Sequence, residues 1–328
     1  MRKTLAALAG AAALLLAACS SGTEAPAVTS PAETTTGASG ELQTVTVGVI
    51  PIVDTAPIRL GVEEGIFAEH GLTLELTDSG QGGAATIPGV VSGQFQIGFS
   101  NTPALISAHS RGLELPIVAP GAASTGVAGE DTAAIVVPAD SDLAGPADLA
   151  GRTVAVNTMK SVGDSTVRET VAKAGGDPDA IKFVEIAFPD MLAALAEGQV
   201  DAAWVVEPFS TIAQGQGNKV LASNYVETSP TLLIAAYFTS AALMKSDPDL
   251  VERFSTAMGE AQAFAQDNPE KVRAILGSYM KVDPTVAEKL VLPRFPDTVD
   301  RKDVEFLVDL AQRQGITENK ADVGSLLP

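Results

Sequence analysis

Few residues in this chain of 328 have the type and spacing that bond-breaking chemistry needs. Its two histidines are His70 and His109. His70 sits in Glu69-His70-Gly71, a helix-ending turn that leaves the ring in solvent. His109 falls late in a helix, where a structural role is commoner than proton transfer. One cysteine, Cys19, stands alone, so the chain makes neither an internal disulfide nor a cysteine-rich metal site. No HExxH, CxxC or Walker lysine loop occurs. Gly98-Phe99-Ser100-Asn101 has the outline of a nucleophile elbow, but Thr102 replaces the closing glycine and no triad partner is evident. Gly80-Gln81-Gly82-Gly83-Ala84-Ala85 fits a dinucleotide fingerprint only loosely. It reads better as a turn that brings backbone N–H groups close to a ligand. These residues point to binding, with no cofactor and no metal.

The elements that must position them alternate between strand and helix. Short β-branched runs predict strands over 43–50, 72–76, 95–99, 115–119, 133–137, 153–156, 182–186, 200–206, 220–222 and 232–238. Helices are expected from Asp54-Thr55-Ala56-Pro57 to about Glu64 with Gly65 as the stop, and over 84–92, 165–174 and 189–197. Ser100-Asn101-Thr102-Pro103 opens another that Gly112 ends. Beyond Pro248 the chain reads as mostly helical, with Leu250, Phe254 and Met258 at i, i+4 spacing. The fold class is therefore α/β with a helical C-terminal section.

Four helices begin with proline near the first position: Pro57, Pro103, Pro189 and Pro208. Proline is tolerated there because first-turn N–H groups have no intrahelical partner. Each follows a strand, so helix N-termini gather at the carboxyl ends of strands, where open α/β sheets bind ligands. A weak repeat also runs through the chain. The unit strand, turn, helix, Gly-Gln, strand occurs around Gly93-Gln94 and again around Gly198-Gln199, 105 residues on. Two readings stay open: a general likeness of βαβ units, or two similar lobes.

Composition narrows the function. Forty acidic residues against 21 basic ones give a net charge of −19 and a pI near 4.4, which argues against nucleic acid as the main partner. Hydrophobic residues at 46% suffice for a buried core, and the length favours two domains over one. Aromatics are 5%, so stacking surfaces must be few.

Arg2 and Lys3 precede an apolar run over 4–18, the pattern of an export signal and too short to span a bilayer. The run ends in Leu16-Ala17-Ala18-Cys19, which resembles a bacterial lipoprotein signal; an ordinary signal with an incidental cysteine is the alternative. On this reading residues 1–18 are the signal and Cys19 carries lipid. Residues 19–42, rich in Ser, Thr, Ala, Pro and Gly, form a flexible tether. Acyl chains at Cys19 hold the protein outside the cytoplasm, anchored to the cell membrane.

A family resemblance follows from four stretches. Val49-Ile50-Pro51-Ile52-Val53-Asp54-Thr55-Ala56-Pro57 and Glu64-Gly65-Ile66-Phe67-Ala68-Glu69-His70-Gly71-Leu72 look like the opening of the nitrate/sulfonate/taurine-type substrate-binding proteins of ABC importers. That group includes binders of thiamine-pyrimidine precursors. Ser92-Gly93-Gln94-Phe95-Gln96-Ile97-Gly98-Phe99 is similar to a further segment, with Gln96 replacing the usual acidic residue. Gly198-Gln199-Val200-Asp201-Ala202-Ala203-Trp204-Val205-Val206-Glu207-Pro208-Phe209 matches the second-lobe strand. The resemblance covers about residues 43–328.

It implies a type II periplasmic-binding-protein-like fold with two lobes and two hinge crossovers. Lobe I would be 43–133 with 230–328 and lobe II 134–229, with crossovers near 133–138 and 229–238. It also implies a monomer that delivers a small molecule to an ABC permease with a cytoplasmic ATPase. The cleft positions that carry over are Asp54, Thr55, Gly82, Gly83, Ser100, Asn101 and Thr102 in lobe I. In lobe II they are Asn157, Ser161, Val162, Gly163, Asp190, Met191, Glu207 and Phe209, and Trp204 stands beside them as wall or core. Asp54 and Asn101 serve equally as helix caps, and Asp190 as a favourable first-turn charge.

Asp54, Asp190 and Glu207 are acidic, Lys160 is the one nearby base, and no bidentate arginine clamp is visible. The balance tilts to a neutral or cationic, donor-bearing ligand such as a pyrimidine or other N-heterocycle. A small sulfonate or nitrate-like anion is the alternative, since helix N-termini hold anions unaided. Two other classes remain: a ligand-sensing lipoprotein, and an enzyme akin to pyrimidine synthases of this fold. The latter use a histidine and a cysteine-rich iron motif, and here the only cysteine is at the lipid position.

Overall fold

The computed structural model describes residues 41–79 and 82–327. The signal at 1–18, the lipid position Cys19, the tether up to Gly40, and Gly80 and Gln81 of the glycine-rich turn lie outside the described residues.

Two five-stranded sheets organise the chain, and they share one topology. In the first, β1 (Gln43–Val49) lies parallel between β2 (Leu72–Asp78) and β3 (Ile97–Asn101), with Gln43 opposite Leu72 and Val47 opposite Ile97. Helices α1 (Ala56–Glu63), α2 (Ile66–Glu69), α3 (Ile87–Val91) and α4 (Thr102–Ser110) join or follow these strands, and β4 (Ile117–Ala123) forms the far edge.

In the second sheet β5 (Ala133–Val137) is followed by β6 (Thr153–Val156), which lies parallel between β7 (Lys182–Glu185) and β8 (Ala202–Val206). Helices α5 (Val162–Lys173), α6 (Phe188–Ala196) and α7 (Phe209–Gly215) alternate with them. The edge strand β9 (Lys219–Ala222) and α8 (Asn224–Thr228) come next. The chain then returns to the first sheet as β10 (Leu233–Phe238), antiparallel between β3 and β4, just as β5 is antiparallel between β8 and β9.

The weak sequence repeat corresponds to this shared topology. Gly93 and Gly198 both take the left-handed conformation, at φ 77° and 68°, where a helix turns into the third parallel strand. Three residues after each, a side chain ties that strand to its neighbour. The Thr46 N–H donates to Gln96 Oε1 at 3.1 Å, and the Thr153 N–H donates to Asp201 Oδ2 at 2.7 Å. Gln96 therefore performs with an amide oxygen what Asp201 performs with a carboxylate, which is why the uncharged residue is tolerated.

Some expected boundaries move. The helix expected over 84–92 is a 3-10 turn, Gly83–Thr86, followed by α3. Helix α5 starts at Val162 rather than 165, because the Asp164 carboxylate accepts the Ser161 N–H at 2.7 Å and the Lys160 N–H at 3.0 Å, tying down the backbone just ahead of the first turn. Strands β5 and β10 each pair within one sheet, so the chain passes between sheets through 124–132 and 223–232, not through the strands themselves. Asp131 fixes the first passage, accepting from the Ser124 hydroxyl at 2.6 Å and the Thr132 N–H at 2.8 Å.

The C-terminal section contains α9 (Ala241–Ser246), α10 (Pro248–Asp267), α11 (Pro269–Leu276), α12 (Pro284–Ala287), α13 (Arg301–Arg313) and α14 (Val323–Leu326). Leu250, Phe254, Ala257, Met258, Ala261 and Ala265 form the buried stripe of α10. That helix covers the exposed edge of β4. Ser255 donates to the Val118 carbonyl at 2.6 Å and Gln262 to the Pro120 carbonyl at 2.7 Å. No helix of the described residues is long and apolar enough to cross a membrane.

Candidate functional site

A partly open cavity lies at the carboxyl ends of the parallel strands of both sheets, the place where α/β sheets open to ligands. Residues after β1 and on β3 and β10 form one wall. Residues after β6, on β8 and at the starts of α5 and α6 form the other. The volume open to the centre of a water molecule is about 40 Å³. With roughly 10–15 Å³ needed per water, that is room for a few waters or one small ring.

The second wall is aromatic. Trp204 on β8 is 1% exposed, and its ring centroid lies 5.5 Å from Phe188 and 6.1 Å from Tyr225. Phe188 stacks in turn on Phe209 at 5.9 Å and 14°. Gly163 makes the room: a β-carbon there would stand 2.5 Å from the indole Cε3. Phe99, which is packed edge-on against Tyr237 at 5.2 Å, faces the cavity from the first sheet.

Polar atoms converge on this apolar lining. The Trp204 Nε1–H and Asn157 Oδ1 are buried and have no protein partner. Buried polar groups are nearly always paired, so two unpaired ones at a cavity call for a ligand or water. Asp54, half-buried in the 3-10 turn Val53–Thr55, is the one acidic side chain among the described lining residues, which include no lysine, arginine or histidine. Burial pushes its carboxyl up to about 7; the bond to its own backbone N–H opposes this, and the nearby Asp131 charge adds to it. The Tyr225 hydroxyl, driven well above its ordinary value by burial and then by Asp54 and Asp131, stays neutral.

Six of the residues expected in the cleft line this cavity: Asp54, Gly82, Asn101, Asn157, Val162 and Trp204. Asn101 also caps α4, its Oδ1 accepting the Ala104 N–H at 3.0 Å, whereas Asp54 caps nothing. Trp204 is core and wall at once. The others stand behind or apart. Thr55 is locked into the turn by donating to the Ile50 and Ile52 carbonyls at 2.7 and 3.0 Å. Gly83 opens the 3-10 turn after Gly82. Ser100, Thr102 and Ser161 are buried, each with an unpaired hydroxyl. Asp190 is exposed in the first turn of α6, Met191 is fully buried in the second sheet's core, and Phe209 supports Phe188.

Glu207, although buried, faces away from the cavity. Its carboxylate accepts the Thr211 N–H at 3.1 Å, the Thr211 hydroxyl at 2.9 Å and the Val291 N–H at 3.1 Å. Burial raises its pKa against those bonds. It thus joins the end of β8 to the C-terminal section. Both histidines also lie elsewhere: His70 pairs with Glu260 at 2.8 Å and His109 meets Ser325 at 3.0 Å.

Sequence reasoning missed Phe188 and Tyr225. Phe188 carried a signal, as an aromatic immediately before the Pro189 helix start. Tyr225 carried none, because only the passage between sheets brings it to the cavity. Among the described residues no cluster of three metal-ligating side chains occurs.

The model of the NMT1/THI5 like family matches residues 53–272. The alkanesulfonate-binding protein SsuA from Xanthomonas axonopodis pv. citri, solved bound to MOPS, superposes with a TM-score of 0.73. It is 17% identical over 88% of this chain and 99% of that one. The periplasmic nitrate-binding protein NrtA from Synechocystis PCC 6803 gives 0.68 at 17% identity, over 86% and 84% of the two chains. A protein of Brucella abortus assigned as a binding protein is 24% identical over 251 residues, 71% of this chain and 75% of that one. The structural likenesses show the fold: the α/β, periplasmic-binding-protein-like architecture that the sequence resemblance implied.

Proposed function

The chain belongs to the NMT1/THI5-like family, and from that premise we propose that it is a non-catalytic solute-binding protein of an ABC importer. It captures a small molecule in the cavity between the two sheets and hands it to a permease driven by a cytoplasmic ATPase. The observation that carries this reading is the pair of unpaired polar atoms, Trp204 Nε1 and Asn157 Oδ1, at an aromatic cavity near a free carboxylate. A few fixed polar groups in an apolar pocket orient a ligand; nothing there supplies a nucleophile with its base.

The ligand that fits is a small nitrogen heterocycle. A flat ring stacks on the Trp204 and Phe188 faces, a ring nitrogen accepts from the indole N–H, and an amino group donates to Asn157 Oδ1 and Asp54. A small sulfonate or nitrate-like anion is the second reading, favoured by SsuA being an alkanesulfonate-binding and NrtA a nitrate-binding protein. It is weakened here because an anion would meet Asp54 with no cationic side chain among the described lining residues.

Capture works by hinging. Lobe I, residues 43–133 and 230–328, and lobe II, residues 134–229, close over the solute about the two connecting segments. The protein acts as a monomer outside the cytoplasm, held at the membrane by lipid on Cys19 after removal of residues 1–18. A thermal-shift screen of heterocycles, sulfonates, nitrate, flavins and polyamines tests this function. One class should raise the melting temperature, since a ligand that binds only the folded state stabilises it. No stabilisation by any class, or turnover of a candidate, contradicts it.

A further inference from the structure

We infer that the solute taken by this cavity is a compact organic cation, with ionised Asp54 as its counter-ion and the Trp204, Tyr225 and Phe188 rings around it. This rests on the capture reading and commits it to a charge. Asp54 has no side-chain hydrogen-bond donor among the described residues. An unpaired carboxylate in an apolar pocket is costly, and a cation is what removes that cost.

The surroundings add to the demand for positive charge. Asp131 stands close enough to act on Asp54. Arg59, the first base after Asp54 in the chain, is engaged elsewhere: it pairs with Asp78 at 2.5 Å and its guanidinium lies 3.9 Å over the Tyr279 ring. The other titratable groups that sense Asp54 are Tyr225, Tyr237 and Tyr279, all raised by burial and neutral at physiological pH. The negative faces of aromatic rings attract cations, and three rings meet here within 6.1 Å of one another in sequence Phe188–Trp204–Tyr225. The Trp204 N–H still needs an acceptor, so the cation also carries a lone pair or hydroxyl.

This makes the sign of the pH dependence diagnostic. Without solute, Asp54 titrates at about 7. A cation binds the ionised form, so capture releases a proton and affinity rises with pH up to that point. A neutral acceptor or an anion prefers the protonated form, and its affinity falls over the same range.

The test uses the mature chain and two probe pairs matched in size: 4-(aminomethyl)pyridine, whose amine is protonated at neutral pH while its ring nitrogen keeps a lone pair, against neutral 4-(hydroxymethyl)pyridine, and ethanolamine against ethylene glycol. Methanesulfonate and nitrate complete the set. Calorimetry should show the cation of at least one pair binding about tenfold or more tighter than its neutral partner. Its affinity should climb from about pH 6 to about pH 7.5, and Asp54→Asn should lose it. Tighter binding of a neutral probe or an anion, or affinity falling with pH, overturns the cation inference while leaving solute capture standing. Binding by no probe and no solute of the wider screen overturns both. The pH series needs only the unaltered protein, so a variant that fails to fold does not stall the test.

Discussion

Gly82 and Asn157 meet across the cavity so closely that a β-carbon on Gly82 would stand 2.8 Å from the Asn157 Nδ2. Gly82 also holds φ at 101°, a conformation that other residues rarely adopt. The two come from different sheets, one after β2 and one after β6, so their approach is part of how the cavity is closed.

Gly82→Ala should therefore act on binding more than on folding. The added methyl pushes Asn157 aside and disturbs the group that orients the solute. Affinity should fall about tenfold or more, equivalent to about 1.4 kcal/mol. Stability without solute should fall by about 1 kcal/mol, from the left-handed backbone alone. Calorimetric titration beside a denaturant melt separates the two; equal affinity with the parent would mean that the contact is incidental.

Glu207 gives the opposite pattern. Its three hydrogen bonds connect α7 and the segment at Val291, and none points to the cavity. Glu207→Ala leaves the Val291 and Thr211 N–H groups unpaired, which costs about 1–3 kcal/mol. Glu207→Gln keeps an acceptor and should cost less. Solute affinity should hold in Glu207→Gln, and a marked loss there would return the residue to the site.

Asp54 makes folding itself pH-dependent. Its carboxyl titrates at 3.8 in the unfolded chain and at about 7 in the fold, so the folded state binds the extra proton. The stability it contributes is complete below about pH 4 and is lost as pH rises towards 7. The loss is on the order of 2–4 kcal/mol. Asp54→Asn should match the parent at low pH and melt higher than it at neutral pH. Parallel melting curves for the two proteins across that range would show that Asp54 is solvated.

Much of this was legible in the sequence because it rests on local rules. Ten strands appear where β-branched runs placed them, and Pro57, Pro103 and Pro189 open helices. Asp54, Asn101 and Asn157 were reachable because each sits at or past a strand end, and Trp204 because it is the one tryptophan, in the middle of a strand of the second sheet. What stayed hidden depends on contacts distant in the chain. Nothing local distinguishes Glu207, bound to Val291 84 positions away, from a cleft acid. Tyr225 reaches the indole of Trp204 only through the fold of the second passage. Which side a buried residue faces, the property that separates Met191 in the core from Val162 in the lining, is likewise set by tertiary packing.

Gly163→Ala tests the aromatic wall. Its new methyl would lie 2.5 Å from Cε3 and 2.7 Å from Cζ3 of Trp204, inside contact distance. Overpacking of this kind costs about 1–3 kcal/mol. The indole must shift, so emission from the only tryptophan should change before any solute is added. An unchanged spectrum and melting point would mean that the helix α5 backbone absorbs the methyl.

That same tryptophan gives the most direct test of solute capture. Trp204 is the sole indole in the chain and lines the cavity, so its emission reports occupancy with no background. The unaltered protein is titrated with the solute panel while emission and melting temperature are followed together. The expected result is a saturable emission change with one nitrogen-bearing class. It should be matched by stabilisation of about 2.7 kcal/mol at a hundredfold excess over the dissociation constant. A panel in which no solute moves either signal, or in which a solute is consumed, contradicts the assignment of this cavity to solute capture.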